Sequence, residues 1–228
     1  MGLIIFDCDG VLVDSEIIAH QLLAQMMTDF GHPMTTAESI RKFAGRGLAE
    51  ILPSIEAILG RRISDDLGQH YGNLLLERLH RDLRPIAGVK EAIAALRCPY
   101  CVASSSSLER IRLSLEVTRL APLFGSHIFS ATQVAHGKPA PDLYLFAATT
   151  MAVPPEHCVV IEDSAPGTSA GRAAGMKVIG FTGAAHASSD SASHLAAAGA
   201  NPIISSMVEL PSAVRKVMSW VEKPQQLT

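Results

Sequence analysis

Gly2-Leu3-Ile4-Ile5-Phe6-Asp7-Cys8-Asp9-Gly10 is the stretch on which the reading of this chain turns. A short apolar run of this kind predicts a buried strand, along which side chains alternate between faces. Asp7 and Asp9 therefore share a face at the carboxyl end of the strand, Cys8 points away, and Gly10 permits a tight turn. Two carboxylates this close repel unless a bound cation or a shared proton offsets the charge, and either condition suits catalysis. An acidic turn after a strand would look the same in isolation, so the meaning of the pair depends on the rest of the chain.

With 228 residues, 48% hydrophobic and 18% charged, the chain can bury one large core or a core with an insertion. A net charge of -3 and the absence of a Lys/Arg stripe with interleaved aromatics argue against nucleic acid as a partner. No apolar run approaches the ~20 residues needed to span a bilayer, and the N-terminus carries no basic leader, so the expected location is the cytoplasm with no membrane partner. Phe6 stands where a myristoylation signal wants Ser or Thr. Four cysteines, Cys8, Cys98, Cys101 and Cys158, are expected to be reduced thiols. Cys98-Pro99-Tyr100-Cys101 has the spacing of a redox pair, but a helical pattern precedes it and apolar Val102-Ala103 follows, the reverse of the setting that lowers a thiol pKa.

From about residue 85 onward, strand patterns near 100–104, 127–131, 157–162 and 176–181 alternate with amphipathic or Ala-rich helices, the rhythm of a parallel sheet covered on both faces. The first strand, 3–7, is separated from this series by some 70 residues that read as wholly helical. Their first helix starts at Ser15-Glu16 and stops at Gly31-His32-Pro33, the next opens on a capping box from Thr35 to Glu38, and a later one runs from about Asp65 to Leu83. Gly45-Arg46-Gly47 reads as a tight turn carrying one cation. The expected fold is α/β, a Rossmann-like three-layer parallel-sheet core of residues 1–14 and 84–223, with an α-helical cap inserted at 15–83 and a loose tail at 224–228.

Ligands of an open parallel sheet sit beyond the carboxyl ends of its strands. There the second strand is followed by Ser104-Ser105-Ser106-Ser107 and a helix with a capping box from Ser106 to Glu109, a cradle for a phosphate group that simple helix capping would also explain. After the third strand, Gly137-Lys138-Pro139-Ala140-Pro141 presents one lysine on a stiff loop. The fourth delivers Glu162-Asp163-Ser164, and Gly167 is expected to ease the start of the next helix. Asp7, the backbone carbonyl of Asp9, and Asp163 are hard oxygen donors suited to Mg2+, with Glu162 either a further ligand or a residue supporting the ligands.

Taken together and in order, Asp7-Cys8-Asp9-Gly10-Val11-Leu12-Val13-Asp14, Ser104, Lys138-Pro139 and Glu162-Asp163 resemble the four motifs of haloacid dehalogenase superfamily hydrolases of the phosphatase type. The stretch from Glu162 through Gly167 and on to Ala173-Ala174-Gly175-Met176 is similar to the cap-bearing subfamily containing sugar phosphatases, phosphoglycolate phosphatases and β-phosphoglucomutases, and most of all to bacterial 6-phosphogluconate phosphatase-like proteins. The resemblance implies a phosphatase acting on a small phosphorylated metabolite, with Asp7 as nucleophile, Asp9 as acid and then base, and Ser104, Ser105 and Lys138 holding the phosphoryl group. It further implies Mg2+ on Asp7, Asp9, Asp163 and Glu162 and hinges at Val13-Asp14 and near Leu83-Arg84. In the cap, Arg46 on its glycine-flanked turn is the candidate for meeting an anionic or hydroxyl-rich part of the substrate, where a plain surface arginine would look the same, and His20 is the second cap candidate. Asp9 is expected to carry a proton near neutrality because Asp7 is so near. Mutase relatives place a histidine five residues after the aspartate that matches Asp14, where this chain has Ala19 with His20 adjacent. A phosphohexomutase is thus one alternative, and a phospho-receiver signalling domain, built from similar groups, is the other. The oligomeric state is not legible.

Overall fold

The computed structural model describes residues 2–44, 48–63 and 67–218. Among these, β1 (Leu3–Phe6), β2 (Tyr100–Ser104), β3 (Ile128–Ser130), β4 (Cys158–Glu162), β5 (Lys177–Phe181) and β6 (Ile203–Ile204) form one sheet in the order β3-β2-β1-β4-β5-β6. All its pairings are parallel. The expected strands are found with ends moved by a residue or two. β6 was not expected, because two isoleucines after Asn201-Pro202 are too short a run to show a period.

Alternation along β1 separates the two layers of core. Ile4 and Phe6 pack on one side, with α5 (Val89–Ala94), α6 (Leu108–Val117), α7 (Ala121–Phe124) and α11 (Leu210–Met218), while Leu3 and Ile5 pack on the other, against α8 (Asp142–Thr150), α9 (Ala165–Ala173) and α10 (Ser191–Ala198). Because both faces are covered, all four β1 residues are fully buried and the strand reads as an unbroken apolar run. Cys8, Cys101 and Cys158 are buried, Cys98 is half-buried, and all four thiols are free.

Between β1 and α5 the chain forms α1 (Glu16–Asp29), α2 (Thr36–Phe43), α3 (Leu48–Leu59) and α4 (Leu67–Asp82), the inserted helical cap. The Thr35–Glu38 capping box is present, with Thr35 Oγ1 accepting from Glu38 N at 3.2 Å and Glu38 Oε2 accepting from Thr35 N at 2.8 Å. Arg46 and its flanking glycines lie outside the described residues, as does the expected tail. The two chain crossings between core and cap run side by side: Asp14 N donates to Arg84 O at 3.0 Å and Ile86 N to Leu12 O at 2.9 Å. No helix among the described residues is long and apolar enough to cross a membrane.

Candidate active site

At the carboxyl ends of β1 and β4, which pair in the middle of the sheet, the acids converge. Asp7, Glu162 and Asp163 each bring a carboxylate oxygen within 4.8 Å of the others. Three acids so close require positive charge, and Lys138 supplies part of it. Its Nζ donates to Asp7 Oδ1 at 2.7 Å and to Glu162 Oε1 at 2.7 Å, and lies 4.9 Å from the centre of the Tyr144 ring. Burial disfavours the ammonium, but Asp7 and then Glu162 outweigh it, and the lysine pKa is raised well above its ordinary value.

Glu162 is fully buried and saturated with donors. Tyr144 Oη reaches Oε1 at 2.9 Å, while Ser164 N and Oγ reach Oε2 at 2.9 and 2.8 Å. Burial raises its pKa, yet Lys138 and these bonds hold it below the ordinary carboxylate range. Gly167 proves necessary for a different reason from the one expected. Its φ is not in the left-handed region, but a Cβ there would overlap the Glu162 carboxylate. Gly10 combines both reasons, since at φ +80° it is left-handed and a Cβ would overlap the Asp163 carboxylate.

The two acids that open the site sit in opposite environments. Asp7 is raised well above the carboxylate range by burial, which Lys138 only partly offsets and to which Glu162, Asp163 and Asp9 add. Asp9 is also buried, but Arg110 and hydrogen bonds from Ser106 and Ser15 outweigh the burial and lower its pKa. Arg110 Nη2 lies 2.8 Å from Asp9 Oδ1, Ser15 Oγ 2.5 Å from Oδ1, Ser106 Oγ 2.6 Å from Oδ2 and Ser104 Oγ 3.4 Å from Oδ2. The expectation that Asp9 is inclined to hold a proton is thus reversed here: the guanidinium and hydroxyl donors against Asp9 favour its charge more than the neighbouring acid disfavours it.

Ser104 is buried at the end of β2 with Oγ accepting from Ser106 N at 3.1 Å, and Ser105 is exposed at the next position. The cap of α6 is Ser107, whose Oγ accepts from Arg110 N at 3.3 Å, rather than Ser106. The four-serine run hid this, because any of its members can cap and only the three-dimensional approach of Asp9 withdraws Ser106. His20 is buried, with Nδ1 2.9 Å from Ser39 Oγ and Nε2 3.7 Å from Glu16.

Residues not singled out from the sequence complete the site. His186, in the loop after β5, places Nε2 3.2 Å from Asp163 Oδ2. Asp163 is raised by burial, against which His186 works. Arg110 stands in the first turn of α6. Both follow from the rule that strand ends and the next helix N-terminus face the ligand, and neither belongs to a recognisable short motif.

The sequence profile of haloacid dehalogenase-like hydrolases matches residues 4–181. The chain belongs to this family. It is 30% identical over 184 residues to the 6-phosphogluconate phosphatase of Escherichia coli (strain K12), covering 80% of this chain and 83% of that protein. A haloacid dehalogenase-like protein of unknown function from Agrobacterium tumefaciens superposes with a TM-score of 0.87 at 43% identity, over 95% of this chain and 98% of that one. A family hydrolase from Deinococcus radiodurans, solved with bound phosphate and sodium, superposes with a TM-score of 0.81 at 32% identity, over 95% and 96%. This haloacid dehalogenase-like hydrolase is a phosphoric monoester hydrolase.

Proposed function

We propose that this hydrolase removes phosphate from a small phosphorylated metabolite, a sugar or sugar-acid phosphate, in a Mg2+-dependent reaction that passes through an aspartyl phosphate on Asp7. The observation that carries the reading is the Lys138 ammonium 2.7 Å from Asp7 Oδ1 at the sheet edge where the acids converge. Burial favours the neutral acid at Asp7, so the Lys138 ammonium and the cation the acids would hold are needed to keep it ionised; once ionised it needs no base, and its remaining difficulty is repulsion by the anionic substrate. Lys138 offsets that repulsion and the charge that builds on the phosphoryl oxygens, while Ser104 and the loop N-H groups orient them. Asp7, Asp163 and the Asp9 carbonyl would hold Mg2+, because they are hard oxygen donors and the Asp7 and Asp163 oxygens are within 4.8 Å of each other. Glu162, with both oxygens already engaged, supports Lys138 and the start of α9 from behind. Bound Mg2+ supplies further positive charge beside the phosphoryl group.

Asp7 Oδ forms a bond to phosphorus as the ester P-O bond breaks, and Asp9, carrying the proton it took from water in the hydrolytic half of the preceding turnover, gives that proton to the leaving oxygen. Water then attacks the aspartyl phosphate while Asp9 takes a proton back, freeing Asp7 and inorganic phosphate. The ionised Asp9 beside Arg110 is the form this second half requires, so the Arg110 pair must loosen before ester cleavage. We take residues 15–83 as the cap that closes over this chemistry, hinged at Val13-Asp14 and Leu83-Arg84, with the cytoplasm as its place of work. The test is phosphate release with Mg2+ across sugar phosphates, sugar-acid phosphates and phosphoglycolate, for the native chain and for Asp7→Asn. Release from the native chain alone supports the reading. Activity retained in Asp7→Asn ends the covalent route, and isomerisation of a hexose phosphate without release favours the phosphohexomutase alternative.

A further inference from the structure

We infer that His186 is a positioning residue for Asp163, holding its carboxylate in the orientation that receives the cation, and that Asp14 at the entry to the cap keeps His186 in place. The inference rests on the metal assignment of the phosphatase reading above and adds two groups which that reading gives no part in binding the cation. His186 Nε2 lies 3.2 Å from Asp163 Oδ2, and both side chains are largely buried, at 13% and 8% exposure. The backbone at Gly10 closes on the same oxygen, since a Cβ there would overlap Asp163 Oδ2 and come within 3.0 Å of His186 Cε1. Imidazole and glycine backbone together leave this carboxylate little freedom to turn.

The surroundings of the ring decide which nitrogen carries its proton. His186 Nδ1 is buried with no hydrogen-bond partner among the described residues, so a proton there would be an unpaired buried donor, whereas a proton on Nε2 faces Asp163. A carboxylate held on one oxygen by a fixed donor meets a cation with its orientation already set. Outer partners of this kind account for roughly 10- to 100-fold in metal affinity. His186 needs support of its own, because it stands on the loop after β5. That loop is tied to the sheet at its start, where Thr182 N donates to Ile204 O at 2.9 Å. Next to His186, Ala185 N donates to Asp14 Oδ1 at 3.2 Å. Asp14 is also where the chain crosses into the cap, with its own N donating to Arg84 O at 3.0 Å. One aspartate thus braces both the crossing and the loop that carries the imidazole.

The test is calorimetric titration with Mg2+ of the native chain, His186→Leu, His186→Gln, Asp14→Ala and the double variant of His186→Leu with Asp14→Ala, with circular dichroism as the check on folding. Leucine fills the space without a donor, and glutamine returns an N-H near the position of Nε2. His186→Leu is expected to weaken Mg2+ binding roughly 10- to 100-fold, and His186→Gln to recover most of the loss. Asp14→Ala is expected to weaken it roughly 2- to 13-fold, the share of one hydrogen bond. The double variant should bind no more weakly than His186→Leu, because the loop then has nothing to position. Native affinity in either His186→Leu or Asp14→Ala overturns the inference while the metal assignment stands. Tighter binding in His186→Leu also overturns it, since the ring would then compete with the cation. An equal loss in His186→Leu and His186→Gln overturns it too and leaves His186 as packing. A native chain that takes up no Mg2+ removes the metal assignment along with the inference. Should His186→Leu fail to fold, Asp14→Ala decides: weaker binding supports the inference, and unchanged binding overturns it.

Discussion

Lys138 Nζ donates to Asp7 Oδ1 at 2.7 Å although 131 residues separate the two in the chain. Each is buried, with side-chain exposure of 5% for the lysine and 10% for the aspartate, so neither charge can rely on water. Removing one partner leaves the other stranded.

Lys138→Met is therefore expected to cost about 3–5 kcal/mol of stability in EDTA, because Asp7 and Glu162 lose their shared cation, and to abolish turnover. Urea unfolding read by circular dichroism, alongside phosphate release, checks both. An unchanged midpoint would mean that the acids take up protons at little cost.

On the proposed function, Mg2+ would bind the folded site and not the unfolded chain, and should stabilise the native chain by about 2.7 kcal/mol at a hundred times its dissociation constant. Asp163→Asn removes one of the acids that bring their oxygens within 4.8 Å of one another, and the gain should shrink or vanish. The readout is the thermal midpoint with and without millimolar Mg2+, and a native midpoint that ignores Mg2+ contradicts the assignment of the ligands.

Gly167→Ala inverts the usual sign of a helical glycine substitution. Alanine ordinarily favours a helix by about 1 kcal/mol, but here its Cβ would overlap the Glu162 carboxylate. Overpacking should cost on the order of 1–3 kcal/mol and displace Glu162 from Lys138. A midpoint equal to or above that of the native chain would show that the carboxylate has room to move.

His20 sets an acid limit on stability. Burial, with His186 behind it, lowers its pKa to about 4, so the fold holds the neutral ring and its contact with Glu16 is not an ion pair at neutral pH. The folded pKa lies below the ordinary 6.5, so the contribution is complete above pH 6.5 and is lost as pH falls towards 4. Glu16 acts in the opposite sense. Burial and then Asp9 raise its pKa to about 7, so its burial favours the fold at low pH and loses that advantage as pH rises from 4.5 to 7. His20→Asn should flatten the fall in stability between pH 6.5 and 4, as measured by urea titrations at a series of pH values. A slope identical to that of the native chain would show that His20 titrates normally.

The parallel α/β core was legible because β1 is buried on both faces and so reads as an unbroken apolar run ending in acids. The inserted helices were legible from their start and stop signals, Ser15-Glu16 against Gly31-His32-Pro33, and from Thr35 and Glu38, whose capping bonds are purely local. β6 was not, since a two-residue strand carries no period and exists only because β5 offers it an edge. Of the groups that meet at the sheet edge, Asp7, Asp9, Ser104, Lys138, Glu162 and Asp163 could be placed there from their positions after predicted strands, while their roles are those proposed above. Arg110 and His186 were not, because nothing in the neighbouring sequence says which acid each will meet.

By itself the sequence determined which groups arrive at the sheet edge, because alternation along a strand and the turn after it are local matters of backbone geometry. What only the tertiary structure decided is how those groups are charged and braced. Asp7 and Asp9 are the same residue type two positions apart, yet one is raised and the other lowered, since Arg110, Ser106 and Ser15 approach only Asp9. Electrostatic energy depends on distance and burial in three dimensions, and the partners that set it are brought in from elements far apart in the chain.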